Sequence, residues 1–154
     1  HGQLSIDVPV SEVEALLFEQ AKKVGRENDI TVESLSLKLS GQRGRTVDVA
    51  IHVKASKKVG LRVPISTTLK GRLDINDRLE AVISDIRSDG NGLGEKVVGA
   101  FVQPFIERYN GYVMPLNVLT SGDLQVEDIR LDVDDSIHAS ATFGIRKSGV
   151  AKAK

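Results

Sequence analysis

Residues 46–55 read TVDVAIHVKA, with Val47, Val49, Ile51 and Val53 on one phase of an alternation and Thr46, Asp48, His52 and Lys54 on the other. Successive side chains on a strand point to opposite faces, so this pattern predicts a strand with one face buried and one in water. Upstream, TVESLSLKL (31–39) repeats the alternation through Leu35, Leu37 and Leu39, and SGQRGR (40–45) between the two runs has the length and composition of a hairpin turn. Downstream, Leu61, Val63 and Ile65 alternate, and Leu69, Leu73 and Ile75 resume the pattern around Gly71, where a bend or bulge is expected. Pro64 predicts an edge or a break in that third strand. A fourth run covers Arg78 to Ile86 and gives way to the loop RSDGNG (87–92). Near the end of the chain Ile129, Leu131 and Val133 alternate, DDS (134–136) turns the chain, and Ile137, Ala139, Ala141, Phe143 and Ile145 alternate again.

Two helices interrupt these strands. The first runs from about Ser11 to Arg26, where Val13, Leu16, Leu17, Ala21 and Val24 recur at helical spacing. Ser11 followed by Glu14 has the form of a capping box. The second runs from Leu93 to Tyr109 and contains most of VVGAFVQPFIERYNGY (97–112), which is apolar over about 180° of a helical wheel, against the ~100° of an ordinary surface helix. Pro104 bends it, and Asn110-Gly111 supplies a left-handed stop. Short links between strands imply antiparallel pairing, so the expected architecture is α+β: a curved antiparallel β-sheet wrapped around two helices, in the order α-β-β-β-β-α-β-β. It forms one domain over residues 1–145, with a frayed basic tail at 146–154.

The chain has 154 residues, enough for one domain with a core, and carries 21 basic and 21 acidic side chains. With no net charge it has no global field for nucleic acid. It has no Cys, which removes disulfides, thiolate metal sites and thiol nucleophiles. No run approaches the ~18 apolar residues of a membrane span. GNGLGEK (90–96) sits where a phosphate loop would, but Glu95 follows Gly94 where that loop needs Lys. Asp85, Ser88, Asp89 and Asn91 do not follow a calcium-loop spacing, because Arg87 occupies a ligand position. His52 and His138 fall on the polar phase of their strands and read as exposed side chains without catalytic partners. Lys54, Lys57, Lys58 and Arg62 gather without stacking aromatics, so they read as a solvated hairpin end, with peripheral contact to anionic lipid headgroups as the alternative.

VPVSEVEALLFEQAKK before alternating strands, GRLDINDRLEAVISDIRSDGNG before a helix, then MPLNV and LQVEDIRLDVDDSIHASATFGI together resemble the tubular lipid-binding superfamily, the group of bactericidal/permeability-increasing protein. The resemblance spans nearly the whole chain and rests on pattern. It implies a long helix cradled in a curved sheet, an apolar groove between them, and a bacterial periplasmic or cell-envelope address. The lining it carries over is Leu16, Leu17, Val97, Phe101, Val102 and Phe105 from the helices, and Val49, Ile51, Val133, Ala139 and Ala141 from the strands.

These observations together predict a non-enzymatic domain that takes up a lipid or other hydrophobic ligand and uses no cofactor. Ala139 and Ala141 leave room on an inward strand face, where a closed core would place Leu or Ile. The competing expectation is a structural or protein-interaction domain with a closed core, which pairs with a second copy through strand edges.

Overall fold

The computed structural model describes residues 2–42, 44–90, 103, 106–116 and 124–145. Its elements are β1 (Gly2–Pro9), α1 (Val10–Glu27), β2 (Ile30–Gln42), β3 (Thr46–Val59), β4 (Leu61–Ile75), β5 (Glu80–Gly90), β6 (Val113–Pro115), β7 (Leu124–Val133) and β8 (Ser136–Ile145). They form a five-stranded sheet of order β2-β3-β4-β5-β6 and a three-stranded sheet of order β1-β8-β7. Every pairing is antiparallel, as the short links implied.

The α+β expectation is overturned. Among the described residues 67% are strand and 19% helix, and the strands divide into two sheets instead of one sheet wrapped around two helices. Two strands were missed, for different reasons. β1 carries its own alternation through Leu4, Ile6 and Val8, but its partner β8 lies at the far end of the chain, pairing Leu4 with Ala141 and Ile6 with Ala139. β6 has three residues, too few to show any period. Most of the predicted second helix lies outside the described residues; Gln103 and residues 106–109 are helical, and Gly111 with φ +83° follows in the left-handed conformation expected of the stop. The basic tail at 146–154 also lies outside them.

Three irregularities keep the sheets two-faced. In β2 the register slips between Val32 and Ser34, which inserts Glu33 as an extra residue opposite β3. In β7 it slips between Val126 and Asp128, which inserts Glu127. Between Lys70 and Arg72 the pairing of β4 skips one residue on its own strand and two on β5, at the position where Gly71 predicted a bulge. In each case two apolar residues stand three apart, Val32 and Leu35, Val126 and Ile129, Ile83 and Ile86. A spacing of three puts the second residue on the wrong face of a regular strand, and one bulged residue restores it. Pro64 lies in the part of β4 that pairs with β3 alone among the described strands, so its missing N–H costs no ladder bond to β5.

The sheets meet at the β2–β3 turn. The Leu131 N–H of β7 donates to Gly44 O at 2.6 Å, and the Ile75 N–H at the end of β4 donates to Arg45 O at 2.9 Å. The Arg45 guanidinium donates to Asn76 O at 3.1 Å and to Asp128 Oδ1 at 2.6 Å. One arginine therefore fixes a turn of the first sheet against both a second turn and the other sheet. Beneath it Ile75, Val126 and Ile129 are buried together, packed by Leu79, Leu116, Leu131 and Phe143. A second cluster, Ala55 and Ile65, lies in the five-stranded sheet and receives Ile106 from the helical turn at 106–109.

Helix α1 guards the outer edge of β2. The expected capping box does not form: the helix begins at Val10 after Pro9, without a side-chain cap. The Val10 N–H donates instead to Asp135 O at 3.0 Å, and Glu14 Oε2 accepts the edge N–H of Leu37 at 2.8 Å. A carboxylate laid on an open strand edge occupies a group that a foreign strand would otherwise pair with. At the other end of the helix Gly25 is buried against β2, where a Cβ would lie 2.6 Å from Ile30 O and 3.2 Å from Val32 Cγ2. Gly25→Ala should therefore destabilise the protein by about 1–3 kcal/mol, although alanine is the better helix former by ~1 kcal/mol. Urea unfolding checks this, and a stabilised Gly25→Ala would mean that the helix end is free to move off the strand.

Candidate ligand-binding surface

The register of the three-stranded sheet places Leu4, Ile6 and Val8 of β1 opposite Ala141, Ala139 and Ile137 of β8, which in turn oppose Ile129, Leu131 and Val133 of β7. All nine share one face, because residues directly opposite one another on paired strands project to the same side. The reverse face carries Ser5, Asp7, Ser140, His138, Arg130 and Asp132. On the apolar face Ile129 is buried, the two alanines are half-buried, and Leu4 and Ile6 are 55% and 52% exposed. Each wholly uncovered leucine or isoleucine forgoes about 1.5–3 kcal/mol of burial, so this surface is costly to leave in water.

The residues expected to line a groove separate into several places. Val133, Ala139 and Ala141 share the face just described, and Ala141 also packs on the junction cluster of Ile75, Val126 and Ile129. Val49 and Ile51 lie in β3, on the apolar face of the five-stranded sheet, and are half-buried. In α1, Leu17 is half-buried while Leu16 is 67% exposed, so Leu16 packs little against the sheet. Val97, Phe101, Val102 and Phe105 lie outside the described residues. Leu4 and Ile6 were missed; the signal that could have found them is the alternation of residues 4, 6 and 8, which has no turn or hairpin partner next to it in the sequence.

Two recesses stand out among the described residues, and both have linings of mixed polar and apolar residues. One, of about 410 Å³, lies on the polar face of the five-stranded sheet between Lys38, Lys70, Arg72 and Arg87. The other, of about 600 Å³, lies between the start of α1, β2 and the β7–β8 turn, bordered by Ser11, Glu14, Lys38 and Asp134. No helix among the described residues is long and apolar enough to cross a membrane, and no group of His, Asp and Glu side chains among them is arranged to hold a metal ion.

The His138 side chain is exposed, as its strand phase suggested, and it has two carboxylate partners there. Its Nδ1 lies 2.6 Å from Asp7 Oδ1 on β1, and its Nε2 lies 2.9 Å from Asp134 Oδ1 in the β7–β8 turn. Both ring nitrogens can donate only when the imidazole is protonated. The bonds to Asp7 and then Asp134 accordingly raise the His138 pKa above its ordinary 6.5. Asp134 is lowered from 3.8, chiefly by the Ser136 N–H and then by His138. His52, by contrast, bonds Thr68 Oγ1 at 2.9 Å through Nδ1. The spacing of Asp134 and His138 was visible in the sequence, but the contribution of Asp7 from the first strand was not.

No protein-family model matches the chain, and no curated protein sequence does. Among solved structures, the crystal structure of lipopolysaccharide binding protein aligns with 92% of this chain at 10% identity and a TM-score of 0.40. The chain spans 41% of that protein's length. A likeness this weak assigns neither a fold family nor a ligand.

The His138 tether has a defined pH window. Stability from a raised histidine pKa is fully present below 6.5 and is lost as pH rises through the higher folded value. Stability from the lowered Asp134 is present above 3.8 and is lost as pH falls through its lower folded value. Amide exchange in β1 should therefore be slowest in mildly acidic buffer and speed up beyond its intrinsic pH dependence as His138 deprotonates. His138→Gln should abolish that extra acceleration; an unaltered profile in the variant would remove His138 from any role in holding β1.

Proposed function

We propose that this chain is a non-enzymatic binding domain for an apolar ligand, most simply a lipid acyl chain, taken up on the apolar side of its sheets. The observation that carries this reading is the uncovered part of the three-stranded face, where Leu4 and Ile6 stand more than half exposed beside Ala139 and Ala141. A surface of this kind offers burial and little else, since its nine register-matched side chains include no acid, base or hydrogen-bond donor. Burial yields about 0.8 kcal/mol per methylene, so a chain of a dozen gains roughly 10 kcal/mol gross before ordering costs. Selectivity would come from length and bulk. The sequence resemblance to the tubular lipid-binding superfamily implies the same class of ligand, and membership of that group, with its periplasmic or envelope address, is part of the proposal.

A second reading rests on one observation. Strand β1 pairs with β8 on one side, and its outer edge has no partner strand among the described residues. Two copies joined along β1 would extend the sheet and bring their apolar faces together, which is the interaction-domain alternative.

The decisive experiment is mass spectrometry of an organic extract of the natively purified protein, alongside binding of a fluorescent fatty acid. A stoichiometric lipid, with fatty-acid binding reduced at least about tenfold in Ile6→Glu, is the expected result. Ile6 suits this test better than Ala141, since a tryptophan at 141 would press on the junction cluster. Absence of any lipid and of fatty-acid binding in the folded protein would exclude the proposal. Native mass spectrometry tests the second reading: a dimer that Leu4→Pro dissociates supports edge pairing, and a monomer at all concentrations rejects it.

A further inference from the structure

We infer that the polar face of the five-stranded sheet carries a binding site for a phosphate-bearing anion, centred on Lys38, Lys70 and Arg87. The register sets these residues in one row across four strands: Lys38 of β2 opposes Ala50 of β3, Ala50 opposes Lys70 of β4, and Lys70 opposes Arg87 of β5. Like charges directly opposite on neighbouring strands repel, and here Lys70 and Arg87 are such a pair. Ala50 in the middle of the row has little bulk, so the row borders a recess of about 410 Å³ instead of a flat strip of side chains. The site lies on the five-stranded sheet and so stands apart from the apolar face of the three-stranded one.

The neighbouring carboxylates decide how much of this charge is available. Arg72 is engaged by Asp48 at 3.0 Å and approached by Asp85 at 4.0 Å. Lys70 has a longer pair with Asp89 at 3.4 Å. Arg87 donates only to the Asp85 backbone carbonyl, at 3.1 Å, and Lys38 has no ion pair among the described residues. Four cations, Lys38, Lys70, Arg72 and Arg87, line the recess against two carboxylates, Asp48 and Asp85, with Asp74 and Asp89 beside it, and the two least engaged cations stand at the ends of the row. A dianionic phosphate suits this arrangement: two ammonium groups supply point charges from either side of Ala50, and the guanidinium of Arg87 adds planar paired donors.

The backbone is shaped at the same place. The register break opposite Gly71 falls between Arg87 and Ser84, and within it Asp85 adopts φ +54°, a conformation unusual for a residue with a side chain. The bulge has two consequences. It keeps Ile86 close to Gly71 on the apolar side, 3.7 Å from where a Cβ would stand, and it brings Arg87 into line with Lys70. A strand without it would put Arg87 out of the row. The packing of Ile86 fixes this geometry, and the placing of Arg87 beside Lys70 follows from it.

The test is a titration of the folded protein with inorganic phosphate at constant ionic strength, followed by amide chemical shifts. The expected result is saturable shifts at residues 38, 50, 70 and 87. Lys70→Ala should weaken the apparent affinity about tenfold, while Lys54→Ala, on the same face but outside the row, leaves it unchanged. Lys70→Ala relieves a like-charge pair, so the variant should fold at least as stably as the parent. Flotation with phosphatidylcholine vesicles with and without phosphatidic acid separates the sources of the anion. Shifts with free phosphate identify a soluble phosphorylated ligand; retention by phosphatidic acid alone, lost in Lys70→Ala, identifies a lipid headgroup at the same site. No response to either, or an equal loss in Lys54→Ala, overturns the inference.

Discussion

Every other feature of this molecule depends on keeping a strict separation of faces along strands that are too long to keep it unaided. β4 runs for 15 residues and β3 for 14, and one slipped residue in either would exchange an apolar face for a charged one. The chain meets that constraint with bulges placed where two apolar residues are three apart in β2, β5 and β7. The bulges serve packing, and the one in β5 also sets the position of a charged side chain. In β7 the bulge brings Val126 and Ile129 to the same side, where both join the junction cluster, and in β5 it turns Arg87 toward Lys70. The Arg45 contacts then lock two sheets whose faces are already assigned.

Strand identity was legible because period-two alternation is a local property, and six of the eight strands follow directly from Leu35, Val49, Leu69 and comparable positions. Sheet membership was not. Nothing in GQLSIDVP says that it will lie beside SIHASATFGI more than a hundred residues away, and without that pairing β1 looks like an unstructured lead into the first helix. The capping box failed for a related reason. Ser11 and Glu14 fit the local motif, but Glu14 has a better use at Leu37 and the helix gets its terminal acceptor from Asp135, both distant in sequence. The expected lining was legible only as phase: Val49, Ile51, Val133, Ala139 and Ala141 all occupy apolar faces, but their division between two sheets depends on the same long-range pairing.

The two faces pose different chemical questions. The apolar one has exposed area and no directional groups, so it can select by size alone. The polar one has directional groups in a fixed row, so it can select by charge and geometry. The two faces belong to different sheets, the apolar one to β1-β8-β7 and the polar one to β2-β3-β4-β5, which makes two separate ligands the simpler arrangement.

The edge guarded by Glu14 limits how copies of this chain can assemble. The outer side of β2 is occupied by α1, that of β7 is tied to Gly44, and β6 offers only three residues, so β1 is the longest unguarded edge among the described residues. A particle with one adhesive edge has a valence of one. Pairing would consume that valence and leave no second open edge of comparable length among the described residues, so association through β1 would end at a closed twofold pair and not a filament.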